Sequence, residues 1–244
     1  MANARVGEVM KVDQFVKRYK EIFKPLATKH GFRIHRQAFF RVINDVAQFF
    51  VLRRDGYGRT CTLEWAILPL CMGLKRGSFA SGMDVAPFLK KYEWWEYDPG
   101  KPEDIEQALT ELLTVFKNFL LPIFETSTDS ASAYEAECSL DRKMYGEVFM
   151  HSSSKTCFTI KMGDYAKAVE HLRAIEEQNL SGHEQKVALM DEERKERYLK
   201  RFNEDLAEIR KQIELLSIPD MDYINDFIDT NEEMSLRNLG VKKT

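Results

Sequence analysis

Apolar residues recur at three- and four-residue spacing through residues 11–30. Val12, Phe15, Val16, Tyr19, Ile22, Phe23 and Leu26 share one side of a 3.6-residue period, which predicts an amphipathic helix. Asp13 stands near its start, where a carboxylate can accept free N–H groups. Gly31 stands just past its end, where a left-handed residue costs glycine little. Pro25 has no N–H to donate, so a kink or early break is expected there. The period then shortens to two. Residues 32–36, 39–43 and 46–53 read as strands, the latter two rich in aromatic and β-branched side chains and separated by the turn-tolerant Asn44 and Asp45. After a second turn signal at residues 55–58, residues 60–68 alternate, with Cys61, Leu63, Trp65 and Ile67 on one face and Thr60, Thr62, Glu64 and Ala66 on the other. This pattern predicts an antiparallel meander with one buried and one open face. Residues 71–101 are irregular, with a short helix expected around Asp84 to Lys91. Residues 103–124 form a second amphipathic pattern through Ile105, Leu109, Leu112, Phe116, Phe119, Leu120 and Ile123. Pro102, Glu103 and Asp104 suit its first turn.

The fold expected is therefore α+β: a three- to four-stranded antiparallel sheet with helices on one face, in the order α-β-β-β-α, over residues 1–125. Residues 126–145 open with a run rich in Ser and Thr and read as a linker or irregular segment. Residues 146–244 read as a helical extension, with a turn at residues 162–165 and a long helix from about 183 to 217. Leu199, Phe202, Leu206, Ile209, Ile213 and Leu216 follow a 3-4-3-4-3 spacing, a short heptad seam. Such a seam serves packing on its own domain or association with a second helix, so the chain is expected to be a monomer or a homodimer.

Composition adds few constraints. The chain is 44% hydrophobic and 31% charged over 244 residues, enough for a core without metals or disulfides. Its four cysteines form no C-x-x-C pair and no Cys/His cluster with zinc spacing. Neither a secretory leader nor an apolar run of membrane-spanning length is visible, and a cytoplasmic location is expected. The net charge of −3 conceals an asymmetry: residues 1–100 carry 17 Lys and Arg against 10 Asp and Glu, while the remainder is acidic.

No glycine-rich phosphate loop is present. His183 and Glu184 begin like a zinc-protease helix, but Val187 stands where the second ligand belongs. His151 precedes Ser152, Ser153 and Ser154, a sequence neighbourhood without an identifiable third catalytic group. No catalytic residue, metal ligand or cofactor is assigned. The more distinctive set is basic and aromatic. Arg33, Arg36, Arg41, Arg53, Arg54 and Arg59 lie on or beside the expected sheet, and Tyr57, Trp94 and Trp95 lie in or near its loops. Arginines beside aromatic platforms can bind anions or stack bases; the same residues equally describe a solvated sheet face.

Two resemblances add to this reading. Residues 23–32 (Phe23, Lys24, Pro25, Leu26, Ala27, Thr28, Lys29, His30, Gly31, Phe32), then Phe40 with Arg41, Asn44 with Asp45, the run Trp94 to Asp98, and Leu121 with Pro122 recur in order in a bacterial family catalogued as domain of unknown function 4304. The chain resembles that family over about residues 11–125, and the resemblance implies a fold without implying an activity. Residues 161–172, with Gly163 at the turn and Ala168 at the expected helix contact, resemble the centre of one tetratricopeptide unit near 146–177; one unit implies a helix hairpin, since an array needs about three. The α-β-β-β-α order also matches double-stranded RNA-binding domains, but Glu103 and Asp104 at the start of the final helix would repel phosphate.

The leading expectation is a non-enzymatic module that binds a protein partner through the open sheet face, at Arg36, Arg41, Arg53, Arg59, Glu64, Trp94 and Trp95, or through the helix seam. A nucleic-acid or anion binder using the arginines is the second reading. An enzyme with an unfamiliar site near Arg36, Glu64 and Trp95 is the third.

Overall fold

A computed structural model describes residues 4–75, 82–89, 93–150 and 152–242, with side chains from Gln14 onward, Gln185 excepted. His151 and the far end of the helix expected near Asp84 to Lys91 lie outside these residues, as does the side chain of Val12. The chain divides into two units, one made of residues 1–68 and 75–129 and the other of residues 69–74 and 130–244. Among the described residues no helix is long and apolar enough to cross a membrane.

The first unit opens with helix α1 (Ala4–Lys29), which begins well before Asp13. Asp13 is thus an interior residue and not the expected cap; residues 4–10 contain no stop signal and several good helix formers. Pro25 sits inside α1 without ending it. The end comes at Gly31, with φ 81°. Its N–H donates to the Thr28 carbonyl at 3.0 Å and the Phe32 N–H to the Ala27 carbonyl at 3.0 Å, the paired bonds that close a helix through a left-handed residue.

Strands β1 (Arg33–His35), β2 (Ala38–Ile43), β3 (Val46–Arg54) and β4 (Thr60–Pro69) then form an antiparallel meander. Ile43 pairs with Val46 around Asn44 and Asp45, and His35 pairs with Ala38 around Arg36 and Gln37. Asn44 and Arg36 adopt the left-handed conformation, at φ 47° and 56°. The far side of β4 carries two short strands in succession. β5 (Met83–Asp84) pairs with Glu64 and Trp65, and β6 (Trp95–Glu96) with Cys61 and Thr60. Among the described residues the sheet therefore has six strands, two more than the alternation alone indicates. A two-residue strand is too short to show periodicity.

One sheet face meets the helices through aromatic rings. Phe39 and Phe50, cross-strand partners, stack at 5.0 Å. Phe50 touches Phe23 of α1 at 5.9 Å and Phe116 at 4.3 Å, and Trp65 touches Phe124 at 5.9 Å. Phe116 and Phe124 belong to one long helical stretch. α2 (Pro102–Val115) passes through a π-turn at Phe116–Leu120 into α3 (Leu121–Thr126). The Leu121 N–H reaches the Phe116 carbonyl. This wider turn precedes Pro122, whose ring would clash with a carbonyl in an uninterrupted α-helix.

The second face is not open as the alternation predicts. Phe40, Phe49, Val51, Thr62 and Ala66 are all buried. β3 explains this: Val46, Ala47, Gln48, Phe49, Phe50, Val51 and Leu52 form one continuous buried run, the signature of a strand covered on both sides.

Inside the aromatic face lies a polar clasp. Gln48 is fully buried, and its Nε2 donates to the carbonyls of Phe124 at 2.7 Å and Ser127 at 2.6 Å. Arg41, its cross-strand neighbour, donates to Gln48 Oε1 at 2.6 Å, to the His30 carbonyl at 2.7 Å and to the Phe124 carbonyl at 3.0 Å. The clasp satisfies carbonyls at the ends of α1 and α3, which have no partner within their own helices.

In the second unit, the segment expected to be a linker is helix α4 (Ser130–Tyr145). Its Ser and Thr lie mostly ahead of the helix or in its first turn, where their side chains favour turns and caps. α5 (Ser153–Lys161) and α6 (Tyr165–Ser181) form the expected hairpin, with Gly163 at φ 76° and Asp164 capping the Lys167 N–H. The single long helix expected over 183–217 is instead α7 (His183–Ala188) and α8 (Glu192–Ser217), because Asp191 caps a new start by accepting the Arg194 N–H. α9 (Met221–Leu239) closes the chain.

The heptad seam is used within this unit. Leu216, Ile209 and Ile213 pack with Ile160, Ala168, Val169, Leu172 and Ile224. Leu206 is also buried, and Phe202 stacks on the His183 ring at 3.9 Å. Leu199, a turn earlier, is half-buried. The segment Pro69–Leu74 docks against α9: Ser235 Oγ donates to the Leu70 carbonyl at 2.6 Å and accepts the Leu74 N–H at 2.7 Å. Gly73, at φ 69°, lies where a β-carbon would approach Asn231 and Met234 within 2.8 Å, so only glycine fits without rearrangement.

The clasp yields a stability prediction. Gln48→Leu keeps the volume but removes the donor serving two buried carbonyls and the acceptor serving Arg41. It should lower stability by about 2–4 kcal/mol, seen as a reduced urea midpoint at unchanged slope. An unchanged midpoint would show that these carbonyls find other partners.

Candidate functional site

The sequence-derived site residues separate in space. Arg36 is exposed at the β1–β2 turn. Arg41 belongs to the clasp, its guanidinium also lying over Phe32 at 4.7 Å, and is not on an open face. Its place there follows from the two-residue period, which puts it beside Phe39 on the helix-covered side. Arg53 pairs across the sheet with Glu64 at 2.7 Å. Trp94 donates from Nε1 to Asp84 at 2.5 Å. Arg59 and Trp95, by contrast, line one concavity.

That concavity is an open cleft of about 800 Å³ within the first unit. The start of β4 contributes Arg59 and Thr60, and the region of β6 contributes Trp95, Glu96, Tyr97 and Asp98. One face of α2 supplies Asp104, Gln107, Ala108 and Glu111. The local sequence dictates this arrangement. Strand alternation turns Trp95 and Tyr97 inward, where both are buried, and leaves Glu96 and Asp98 exposed. Positions 104, 107, 108 and 111 share a helix face by their three- and four-residue spacing. Tyr97 is held by stacking on Phe15 at 4.5 Å. Asp55 shapes the adjoining hairpin by accepting the Arg59 N–H at 2.7 Å and the Thr60 N–H at 3.2 Å.

Four carboxylates and one guanidinium thus line the cleft. Asp98 accepts the Gly100 N–H at 2.8 Å and lies 3.8 Å from Lys101, and Glu111 accepts from Gln107 at 3.1 Å. Glu96 and Asp104 have no side-chain partner among the described residues. Two unpaired carboxylates in a solvated cleft favour a cationic ligand and disfavour phosphate. Sequence inspection identified Asp104 only as a helix-start acid. Glu96, Asp98 and Glu111 were not readable as a group, because two separate elements, the β6 region and α2, bring them together.

A second polar constellation was not anticipated at all. It lies inside the second unit between α4 and α5. Lys155, almost fully buried, makes an ion pair with Asp141 and donates to the Phe149 carbonyl at 3.0 Å. Glu137, also buried, accepts from Ser154 at 3.0 Å. Burial pushes the Glu137 carboxyl up to about 7, against the opposing pull of Lys155 and the Ser154 hydroxyl. His171 lies between the Met150 carbonyl, 2.7 Å from Nδ1, and the Tyr134 hydroxyl, 3.3 Å from Nε2. A carbonyl can only accept, so Nδ1 carries the proton and Nε2 accepts from Tyr134. Burial lowers the His171 pKa and keeps the ring neutral. These groups find their partners inside the same unit, which suits a structural role.

No family model matches this chain, and no curated protein or solved structure is significantly similar to it. Among the described residues, no group of three or more His, Cys, Asp or Glu is arranged to hold a metal ion.

Glu137 makes stability fall as pH rises. Its folded pKa is about 7 against an ordinary 4.5, so between those values the unfolded chain releases a proton that the folded chain retains. His171 acts in the opposite direction, since its lowered pKa favours folding as the unfolded ring deprotonates. Subtracting the stability curve of Glu137→Gln from that of the parent cancels the histidine contribution. The difference should grow from near zero at pH 4.5 to about 3 kcal/mol in favour of the variant above pH 7. A difference independent of pH would mean that Glu137 ionises normally.

Proposed function

We propose that this protein is a non-enzymatic interaction module whose acidic cleft receives a Lys- or Arg-bearing segment of a protein partner. The observation that carries the reading is that Glu96 and Asp104, without side-chain partners among the described residues, line one open cleft together with Trp95 and Tyr97. Carboxylates accept hydrogen bonds from ammonium and guanidinium groups, and indole and phenol rings support the aliphatic stems and planar ends of such side chains. The cleft is too open and too polar for an apolar small molecule, whose sites are usually enclosed and mostly hydrophobic.

The two contact surfaces expected earlier support this reading less well. Arg41 and the Arg53–Glu64 pair are engaged within the sheet, and the residues from Leu206 to Leu216 are packed inside the second unit. Of the six arginines on or beside the sheet, Arg33, Arg36 and Arg59 are exposed; the first two belong to β1 and its turn, whereas Arg59 lines the acidic cleft, which gives nucleic-acid binding less support than a cationic partner. A cytoplasmic location and kinship with the domain of unknown function 4304 family belong to the same proposal. The latter rests on the ordered residues between Phe23 and Pro122.

The test is comparative capture. The tagged full chain and its Asp104→Lys, Glu111→Lys variant are used on the same lysate, each with and without nuclease. A protein retained by the parent after nuclease and at least tenfold depleted on the variant is the expected result. Its binding should weaken as salt rises toward a few hundred millimolar. Partners shared equally by parent and variant would remove the cleft from the proposal. Partners lost on nuclease treatment would replace it with nucleic-acid binding.

A further inference from the structure

The four cysteines are not equivalent. Cys61 donates toward the Trp95 carbonyl at 3.6 Å, and Cys138 lies against Tyr134. Cys71 and Cys157, 86 positions apart in sequence, meet inside the second unit. The Cys71 thiol donates to the Cys157 carbonyl at 3.4 Å, which sets the Cys71 sulfur against the residue that carries the second thiol. Cys71 is buried in the turn at Leu70–Met72, whereas Cys157, on α5, is partly exposed. No other cysteine pair among the described residues shows such contact.

We infer that Cys71 and Cys157 form a reversible intramolecular disulfide when the chain meets an oxidised low-molecular-weight thiol. The partly exposed residue reacts first. The Cys157 thiolate attacks one sulfur of the small disulfide, so a Cys157 mixed disulfide forms, the small S–S bond breaks and one small thiolate leaves. Cys71 then gives its proton to solvent or to the departing thiolate. Its sulfur attacks Cys157 Sγ and expels the second small thiolate, which is protonated. Two protein thiols are oxidised and one small disulfide is reduced to two thiols.

Two features set the character of this pair. Contact with the Cys157 thiol and burial both hold the Cys71 proton in place, with Lys161 opposing and Glu232 reinforcing them, so the second step is slow. Such a pair records the prevailing redox state rather than a brief oxidant pulse. The turn that carries Cys71 is fastened to α9 by Ser235 and Asn238 side-chain hydrogen bonds. A disulfide adds a covalent tie from the same turn to α5.

The full chain is equilibrated in glutathione buffers from reducing to oxidising, quenched with acid, alkylated and digested without reduction. The expected result is the loss of two free thiols and a peptide joining Cys71 to Cys157. Dithiothreitol should restore both thiols. The oxidised form should melt about 5 °C higher, as expected for a link closing a long loop. The Cys61→Ser, Cys138→Ser double variant should behave as the parent does, and Cys157→Ser should lose the cross-link. Retention of all thiols in the most oxidising buffer would overturn the inference. So would a stable glutathione adduct on Cys157 beside a free Cys71, or a cross-link between other cysteines. Because the cross-link is mapped in the unmodified chain, a misfolded serine variant leaves the test intact.

Discussion

The first unit depends on a shortage of hydrogen-bond donors. Helices α1 and α3 end over the same sheet face, and their last carbonyls point into a space filled by Phe32, Phe50, Phe116 and Phe124. The Phe124 and Ser127 carbonyls are buried there, and leaving such a carbonyl unpaired would cost about 1–3 kcal/mol. Arg41 and Gln48 supply the missing donors from adjacent positions of β2 and β3. Burial lowers the Arg41 pKa, yet a guanidinium remains charged under any ordinary condition. The aromatic contacts provide the driving force for burial and have little directionality. The clasp sets where each helix must stop relative to the strands, and through α2 it positions Asp104 and Glu111 opposite β6.

The same logic separates what the chain disclosed from what it concealed. Long periodic segments were legible: α1, the meander, α2 and the α5–α6 hairpin all carry apolar repeats with turn residues at their ends. The β3 run was legible too, but alternation in β4 suggested an open face that continuous burial in β3 contradicts. Helix α4 was hidden because the Ser and Thr ahead of it and in its first turn resemble a linker. The break before α8 rests on one aspartate whose capping role is invisible among so many charged neighbours.

Functional groups were harder to read for a different reason. The cleft draws on the β3–β4 hairpin, on β6 and on α2, and no local pattern joins Arg59 to Glu96 or Glu111. Glu137, Lys155 and Asp141 look like ordinary surface charges in a helical sequence. Their burial follows from α4 packing on α5, and isolated spacing does not report it. Arginine, by contrast, attracted attention by its frequency, and that frequency reflects structural bonds at Arg41 and Arg53 as much as any surface available to a ligand.

The path of the chain has a consequence for dissecting the molecule. Leaving β4, it contributes Pro69–Leu74 to the second unit, returns to the first for residues 75–129, and then crosses finally into α4. The two units are therefore interleaved in sequence, and no single peptide-bond cleavage can release either one whole. A fragment ending at residue 129 carries away the turn that Ser235 should hold, and a fragment beginning at residue 130 is left with an unfilled seat on α9.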